Sequence, residues 1–364
     1  MREWGTSRSD ERITSAMAAS GTPGVALAVV QDGVVVHARG FGVTSVEEGR
    51  IPVTERTLFQ IGSTTKPLTG TLLMRLVERG LLDLDSPVKR WLPDLRLSEP
   101  NAAEIVSLRM LLSHTSGLPW DQISPTRIFG RRDPDALAAW VRDELPQRPF
   151  VAPPGARWGY SNPGINLAAR VAEIVTGESY VDLMRRRVFE PLGMEHTTFD
   201  PTIAMTWPLA QSHARTADGE IVVEHRVADN AAQYPSAFAF STVVDLARFA
   251  RMQLADGTID GQRVLEPTSV TEMQRPHAQL PDEPEAQYGL TFFNTDWRGR
   301  QRIDHPGGIR NYGCELAFVP GSGAAVVLLF NHSPFAEVAA VIADEVLADV
   351  LGLSETYSKN NGIR

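Results

Sequence analysis

The sequence predicts an α+β fold: an antiparallel sheet built from strands at both ends of the chain, flanked by helices, with a large and mainly helical inserted lobe. Three observations lead there. The turn pair Asp32-Gly33 joins two apolar runs near the start, strand-like segments return after about residue 287, and helical spacing dominates between them. A two-stranded ribbon is not stable alone, so the early hairpin needs the late strands as neighbours. The expected partition is 1–64 and 255–364 for the sheet-containing lobe and 65–254 for the helical one.

The elements follow in order. A helix is expected over Asp10 to Ser20, stopped by Gly21-Thr22-Pro23-Gly24. Val25 to Gln31 and Val34 to Gly40 read as a hairpin, because Asp-Gly between apolar runs suits a tight turn with positive φ. Helical spacing marks Lys66 to Arg79, Asp135 to Glu144, Gly164 to Thr176, Tyr180 to Phe189 and Val243 to Leu254. Strands are expected at Gln287 to Thr295, Arg300 to Asp304, Cys314 to Pro320 and Ala324 to Asn331. A helix from Phe335 to Leu351 places Val338, Ile342, Val346 and Leu347 on one stripe. The tail after Leu353 is polar and expected to fray. The insert from Ile123 to Asp133, with Phe129-Gly130-Arg131-Arg132, reads as a loop that shapes a pocket mouth.

Composition narrows the function. With 364 residues, 43% hydrophobic and 22% charged, the chain can bury a pocket without disulfides or metal. A net charge of -9 repels phosphate backbones, which argues against nucleic acid as a partner. The lone cysteine, Cys314, reads as a small buried hydrophobe. Met1 to Ser20 lacks the apolar core of a signal peptide, and the most apolar stretch, Gly323 to Asn331, is only strand length. A cytoplasmic protein without membrane partners is therefore expected; oligomeric state is not legible. Histidines show no metal-ligand spacing, and neither a P-loop nor a dinucleotide fingerprint is present, so no metal and no cofactor is expected. Ile61 stands where Gly-x-Ser-x-Gly needs glycine, which argues against an α/β-hydrolase.

Of the 35 basic residues only Lys66, Lys89 and Lys359 are lysines. Arginine cannot lose its proton in a protein and lysine can, which singles these three out. Lys66 lies three residues after Ser63, hence on the same helical face about one turn away. The plain alternative for Ser63 is a helix N-cap. Against that, Leu68, Leu72 and Leu73 surround Lys66 with apolar neighbours. An ordinary lysine is neutral in about one molecule in 2,500 at pH 7, so a base needs a shift of roughly three units, or about 4 kcal/mol. Burial supplies shifts of that size. A lysine that keeps its charge can instead lower the pKa of a tyrosine, which then becomes the base.

Phe59-Gln60-Ile61-Gly62-Ser63-Thr64-Thr65-Lys66 resembles the active-site serine segment of the class C β-lactamase and penicillin-binding D,D-peptidase superfamily. Leu111-Leu112-Ser113-His114-Thr115-Ser116-Gly117-Leu118 is similar to a signature of its esterase and peptidase branches. Pro154 to Asn162 carries a Tyr160-Ser161-Asn162 match to the Tyr-x-Asn motif, Ser241 to Leu246 resembles another recurring segment, and His305-Pro306-Gly307 stands where the third motif belongs. The resemblance implies Ser63 as acylated nucleophile, Lys66 as its proton partner and Tyr160 as base for attack and acid for the leaving group. It implies Asn162 as a group that binds the substrate carbonyl or orders Lys66. The oxyanion hole would use the backbone N–H groups of Ser63 and, by position, Gly308, with Gly307 allowing close approach.

One departure matters. Many members have Lys-Thr-Gly at the third motif, and its lysine attracts a substrate carboxylate. Here His305 replaces it, and a histidine is mostly uncharged at neutral pH. Arg310, five residues on, is the candidate to restore an anion contact, with a solvated loop arginine as the alternative. On local pattern alone, His305-Pro306-Gly307-Gly308 reads as a turn, His114 as the close of a helix, and Asp245 as part of a Thr242-x-x-Asp245 capping box. The leading expectation is a serine hydrolase of carboxylesterase type on small esters or acyl compounds, with acyl transfer chemically adjacent. A D-residue peptidase or amidase, or a weak β-lactamase, is the second reading. A non-catalytic binding module is the third.

Overall fold

The computed structural model describes residues 6–47, 49–120 and 128–353. Residues 123–127 of the expected pocket-mouth insert, and the tail after Leu353 with Lys359, lie outside the described residues. The first helix, α1 (Thr6–Ser20), leads into the hairpin of β1 (Gly24–Gln31) and β2 (Val34–Gly42). Asp32 and Gly33 have φ of 53° and 73°, the two positive values that an Asp-Gly hairpin turn requires.

The centre is one eight-stranded antiparallel sheet. Besides β1 and β2 it contains β5 (Ala278–Gln279), β6 (Ala286–Tyr288), β7 (Phe293–Trp297), β8 (Arg300–Ile309), β9 (Tyr312–Val319) and β10 (Ala324–Phe330). Two short strands elsewhere, β3 (Phe59–Gln60) and β4 (Phe240–Ser241), pair with each other. The order across the main sheet is β2-β1-β10-β9-β8-β7-β6-β5. The two ends of the chain meet at β1 and β10, where Val25 opposes Phe330 and Leu27 opposes Leu328.

Both faces of the sheet are covered, which explains why β1 and β10 are continuous apolar runs rather than alternating ones. Val25, Leu27 and Val29 pack with Ile13 of α1 and with Ile342, Val346 and Leu347 of the C-terminal helix (Ala336–Val350). Ala26, Ala28 and Val30 face the other core, with Leu316 and Phe318 of β9. Between residues 65 and 254 the elements are helices apart from β4 and a ribbon of Ser212–Arg215 with Ile221–Glu224. These helices include α2 (Thr65–Glu78), α3 (Leu108–Leu112), α4 (Ala136–Asp143), α5 (Asn162–Thr176), α6 (Tyr180–Met184) and α7 (Val243–Leu254). In α2 only Arg75, Val77 and Glu78 are not buried, the all-round burial of a helix inside the core. Pro67 is tolerated because it sits in the first turn, where N–H groups have no helical acceptor. Among the described residues no helix is long and apolar enough to cross a membrane.

Several local expectations need correction. Gln287 to Thr295 is two strands: Gly289 N–H bonds the Phe292 carbonyl, closing a hairpin between β6 and β7, and Thr291 takes φ 66°. Tyr180 to Phe189 is not one α-helix, since a π-turn occupies Arg185–Phe189 after α6. His305-Pro306-Gly307-Gly308 is no turn but the end of β8. Pro306 is accommodated because β7 pairs β8 only as far as Asp304, leaving an open edge beyond it. Thr242 does cap α7 by accepting from Asp245 N–H at 3.1 Å, but the Asp245 carboxylate does not close the box. It accepts instead from His196 N–H and the Thr197 hydroxyl, at 2.9 and 2.8 Å.

Candidate active site

Ser63 lies in a short 3-10 turn, Gly62–Thr64, that leads from β3 into α2. It caps nothing. Neither the turn nor α2 has a side-chain cap, and Ser63 Oγ is free to face other groups. Gly62 holds φ 52°, and a Cβ there would sit 2.4 Å from the Gly308 nitrogen. A Cβ on Gly307 would lie 1.9 Å from the Ile61 carbonyl oxygen. These two glycines are what let the end of β8 press its backbone against the serine turn. Thr64 Oγ1 donates to the His305 carbonyl at 3.0 Å and fastens the two together. The N–H of Ser63 falls in the first turn, where helical bonding leaves donors without acceptors.

Lys66 is fully buried. Its Nζ donates to Ser63 Oγ at 3.0 Å and to the Ser236 carbonyl at 2.7 Å, and stands 4.7 Å from the centre of the Tyr160 ring. Among the described residues no carboxylate pairs with it. Burial without a counter-charge pushes its pKa well below the usual lysine range. Lys89, by contrast, lies at the surface, 2.7 Å from Glu104.

Tyr160 stands beside Ser63 and Lys66, and burial pushes its pKa up. Its placement comes from His114. The His114 carbonyl accepts from Gly159 N–H at 2.8 Å and its Nδ1 accepts from Ser161 N–H at 3.2 Å, so both neighbours of Tyr160 are clamped. The two rings lie 4.4 Å apart. His114 does close a helix, as expected: α3 ends at Leu112 with Ser113 as its cap, His114 takes the left-handed position after it with φ 57°, and Thr115 N–H returns to the Met110 carbonyl at 2.8 Å. Since Nδ1 accepts, Nε2 carries the proton. Ser161 then caps α5 by accepting from Gly164 N–H, and Asn162 is the first, buried residue of that helix.

His305 extends from β8 towards the same centre. Its Nδ1 donates to the Pro306 carbonyl at 2.7 Å, so Nε2 accepts from the Tyr288 hydroxyl at 3.2 Å. Burial, with Lys66 adding to it, pushes His305 down to about 3. The same two causes hold His114 well below the usual histidine range. At neutral pH both imidazoles are uncharged. Arg310 is neither a solvated loop arginine nor a free anion contact: it is paired with Glu224 and lies 5.2 Å from the Phe129 ring centre. Cys314 is buried opposite Gly307, and burial raises its thiol.

The fold thus brings Ser63, Lys66, Tyr160, His305, Gly307 and Gly308 into one place, and leaves Arg310 engaged elsewhere. Sequence reasoning missed three contributors. The His114 segment was conspicuous as a motif, but nothing in it foretells a clamp across 47 residues. Ser236 acts through a carbonyl, which any residue supplies. Tyr288 meets His305 Nε2 from a strand 17 residues earlier.

The sequence model of the Beta-lactamase family matches residues 10–350. Penicillin-binding protein 4 of Amycolatopsis lactamdurans is 33% identical over 381 residues, covering 97% of each chain. The chain belongs to the Beta-lactamase family. Among solved structures, the octameric penicillin-binding protein homologue from Pyrococcus abyssi aligns with TM-score 0.82 at 26% identity, over 95% of this chain and 77% of that one. A D-stereospecific amidohydrolase from Streptomyces sp. shares the fold, with TM-score 0.72 at 24% identity over 91% and 97% of the two chains.

Proposed function

We propose that the protein hydrolyses small, uncharged esters or related acyl compounds through an acyl-enzyme on Ser63. The observation that carries this reading is Lys66: fully buried, without a carboxylate, and 3.0 Å from Ser63 Oγ. A neutral amine in that position accepts the serine proton as Oγ attacks the acyl carbon. The oxygen that becomes negative sits towards the backbone N–H groups of Ser63 and Gly308, a pair of donors each worth about 10²–10³ in rate. As the bond to the leaving group breaks, the Tyr160 O–H gives it a proton, and the Lys66 ammonium replaces that proton. Water then repeats the sequence in reverse on the acyl-enzyme.

The uncharged substrate follows from the electrostatics. His114 and His305 are both neutral, and Arg310 already meets Glu224. Neither these histidines nor Arg310 draws a carboxylate to the centre, so β-lactam turnover is expected to be slow. A second reading, a peptidase or amidase on D-residues, is favoured by the open edge of β8 beyond Asp304, which offers backbone groups to a peptide-like substrate.

Hydrolysis of p-nitrophenyl butyrate and of a D-amino-acid p-nitroanilide by wild type and Ser63→Ala tests both. Ester turnover that falls to background in the mutant supports the first reading, and anilide turnover alone supports the second. Equal activity of the two proteins would remove Ser63 from the mechanism.

A further inference from the structure

A cavity of about 370 Å³ opens between α4, α5, α6 and the segments 199–202 and 229–234. Its floor is aromatic: Phe199 stacks on Tyr234 with ring centres 5.2 Å apart and meets Tyr180 at 5.3 Å. Asp229 forms part of its wall and is only 3% exposed. One carboxylate oxygen accepts from the Tyr234 hydroxyl at 2.6 Å. The other has no hydrogen-bond partner. Arg132 brings its Nε within 2.8 Å of that oxygen without the alignment of a hydrogen bond, and its side chain is 68% exposed. Asp229 is therefore a buried carboxylate facing a cavity, matched by an arginine that reaches in from solvent.

We propose that this cavity is a binding site for a small organic ammonium ion, whose charged head meets Asp229 in place of Arg132 and whose apolar body lies on Tyr180, Phe199 and Tyr234. Each part of the ligand answers a feature of the site. Aromatic faces attract a cation within about 6 Å, and the attraction grows when water is excluded. A buried carboxylate is costly unless paired, so a ligand cation is favoured there over a neutral group. Asp133, Glu173 and Asp200 also line the cavity, and their negative charge disfavours anionic ligands. Burial raises the pKa of Asp229, consistent with a carboxylate that gains from a better partner.

The cavity is separate from the reaction centre, since none of Ser63, Lys66, Tyr160 or His305 lines it. It lies behind the wall that holds the lysine. Tyr234 is two residues before Ser236, and the Tyr180 hydroxyl meets Thr69 Oγ1 at 2.8 Å, with Thr69 donating to the Pro235 carbonyl at 2.7 Å.

Isothermal titration of the full chain with benzylammonium, and with benzyl alcohol as the uncharged probe of similar size, tests the proposal. Saturable benzylammonium binding is expected, weaker by about tenfold or more for the alcohol and for Asp229→Asn, the scale of one lost charge contact. Arg132→Ala is expected to bind benzylammonium more tightly, because the internal competitor is gone. Absence of saturable binding, equal affinity for the two probes, or looser binding in Arg132→Ala would each overturn it. Should Asp229→Asn fail to fold, the exposed Arg132→Ala variant decides alone.

Discussion

The two faces of β8 hold titratable groups on adjacent residues and treat them in opposite ways. On the face towards Ser63, His305 is buried with only neutral partners, and burial strips its charge. On the face towards the C-terminal helix, Arg302 Nε, Nη1 and Nη2 lie 2.9, 2.5 and 3.0 Å from Asp344, Asp304 and Glu315. There burial is answered by pairing, and Arg302 stays charged. One guanidinium facing three carboxylates is still too little positive charge. Glu315 is pushed up to about 8, and Asp304 is raised as well, burial being the first cause of each. The contrast shows that depth alone does not decide ionisation; the partner does. A lysine on the paired face would be a structural cation, whereas Lys66 on the unpaired face is available as a base.

The sharpest way to break this contrast is Lys66→Arg. A guanidinium keeps its proton, so the serine loses its acceptor and turnover of the ester falls by about 10³, within the range of a lost general base. Kinetics on p-nitrophenyl butyrate, with circular dichroism to verify folding, check it. If the variant keeps more than about a tenth of the activity, a loss well below that range, the base is not Lys66 and Tyr160 takes that part.

On the other face, Arg302→Met removes the guanidinium that meets all three carboxylates. Breaking a buried ion pair from one side typically costs about 3–5 kcal/mol, and urea unfolding at pH 7 should show a loss of that order. The folded fraction should match the wild type in any turnover of p-nitrophenyl butyrate, since the network touches neither Ser63 nor Lys66. A large loss of rate with unchanged stability would mean that the two faces are not separate.

His114→Phe acts between these extremes. The ring is kept, but the acceptor for Ser161 N–H is lost, which leaves a buried donor unsatisfied at a cost of about 1–3 kcal/mol. Tyr160 loses one side of its clamp. We expect kcat to fall about tenfold, the rate equivalent of the low end of that cost, with KM much less affected. A change confined to stability would make His114 structural only.

How much of this was legible beforehand depends on the range of the interaction. The Ser63–Lys66 contact is set within one helical turn, and the Asp32-Gly33 hairpin within two residues; both follow from local rules. The pairing of β1 with β10 followed from the instability of a lone ribbon. By contrast, His305 to Gly308 reads locally as a turn because Pro and Gly are turn residues. Only the missing β7 partner past Asp304 makes that sequence acceptable in a strand. The His114 clamp, the Ser236 carbonyl and the Arg302 network join residues far apart in the chain, and no local pattern encodes them. Arg310 was misjudged for the same reason, since its partner Glu224 lies 86 positions earlier in a separate ribbon.

The test that reads both faces at once is the pH dependence of stability. His305 is held at about 3 in the fold, whereas an unfolded histidine titrates near about 6.5. As pH falls below about 6.5 the unfolded chain takes the proton first, so stability drops on the acid side. His114 pushes in the same direction. Glu315 does the reverse. At about 8 in the fold, against about 4.3 unfolded, it is ionised first in the unfolded chain as pH rises, so stability drops from about 4.3 towards 8 and levels beyond. A single group contributes at most about 1.4 kcal/mol per pH unit. Glu315→Gln should therefore flatten the alkaline limb of a melting-temperature profile and move its maximum to higher pH. His305→Gln should flatten the acid limb and move the maximum down. Two variants on neighbouring strands shifting one optimum in opposite directions is an outcome that a general loss of packing does not produce. Parallel curves displaced only in height would show instead that the faces of β8 do not differ in how they hold charge.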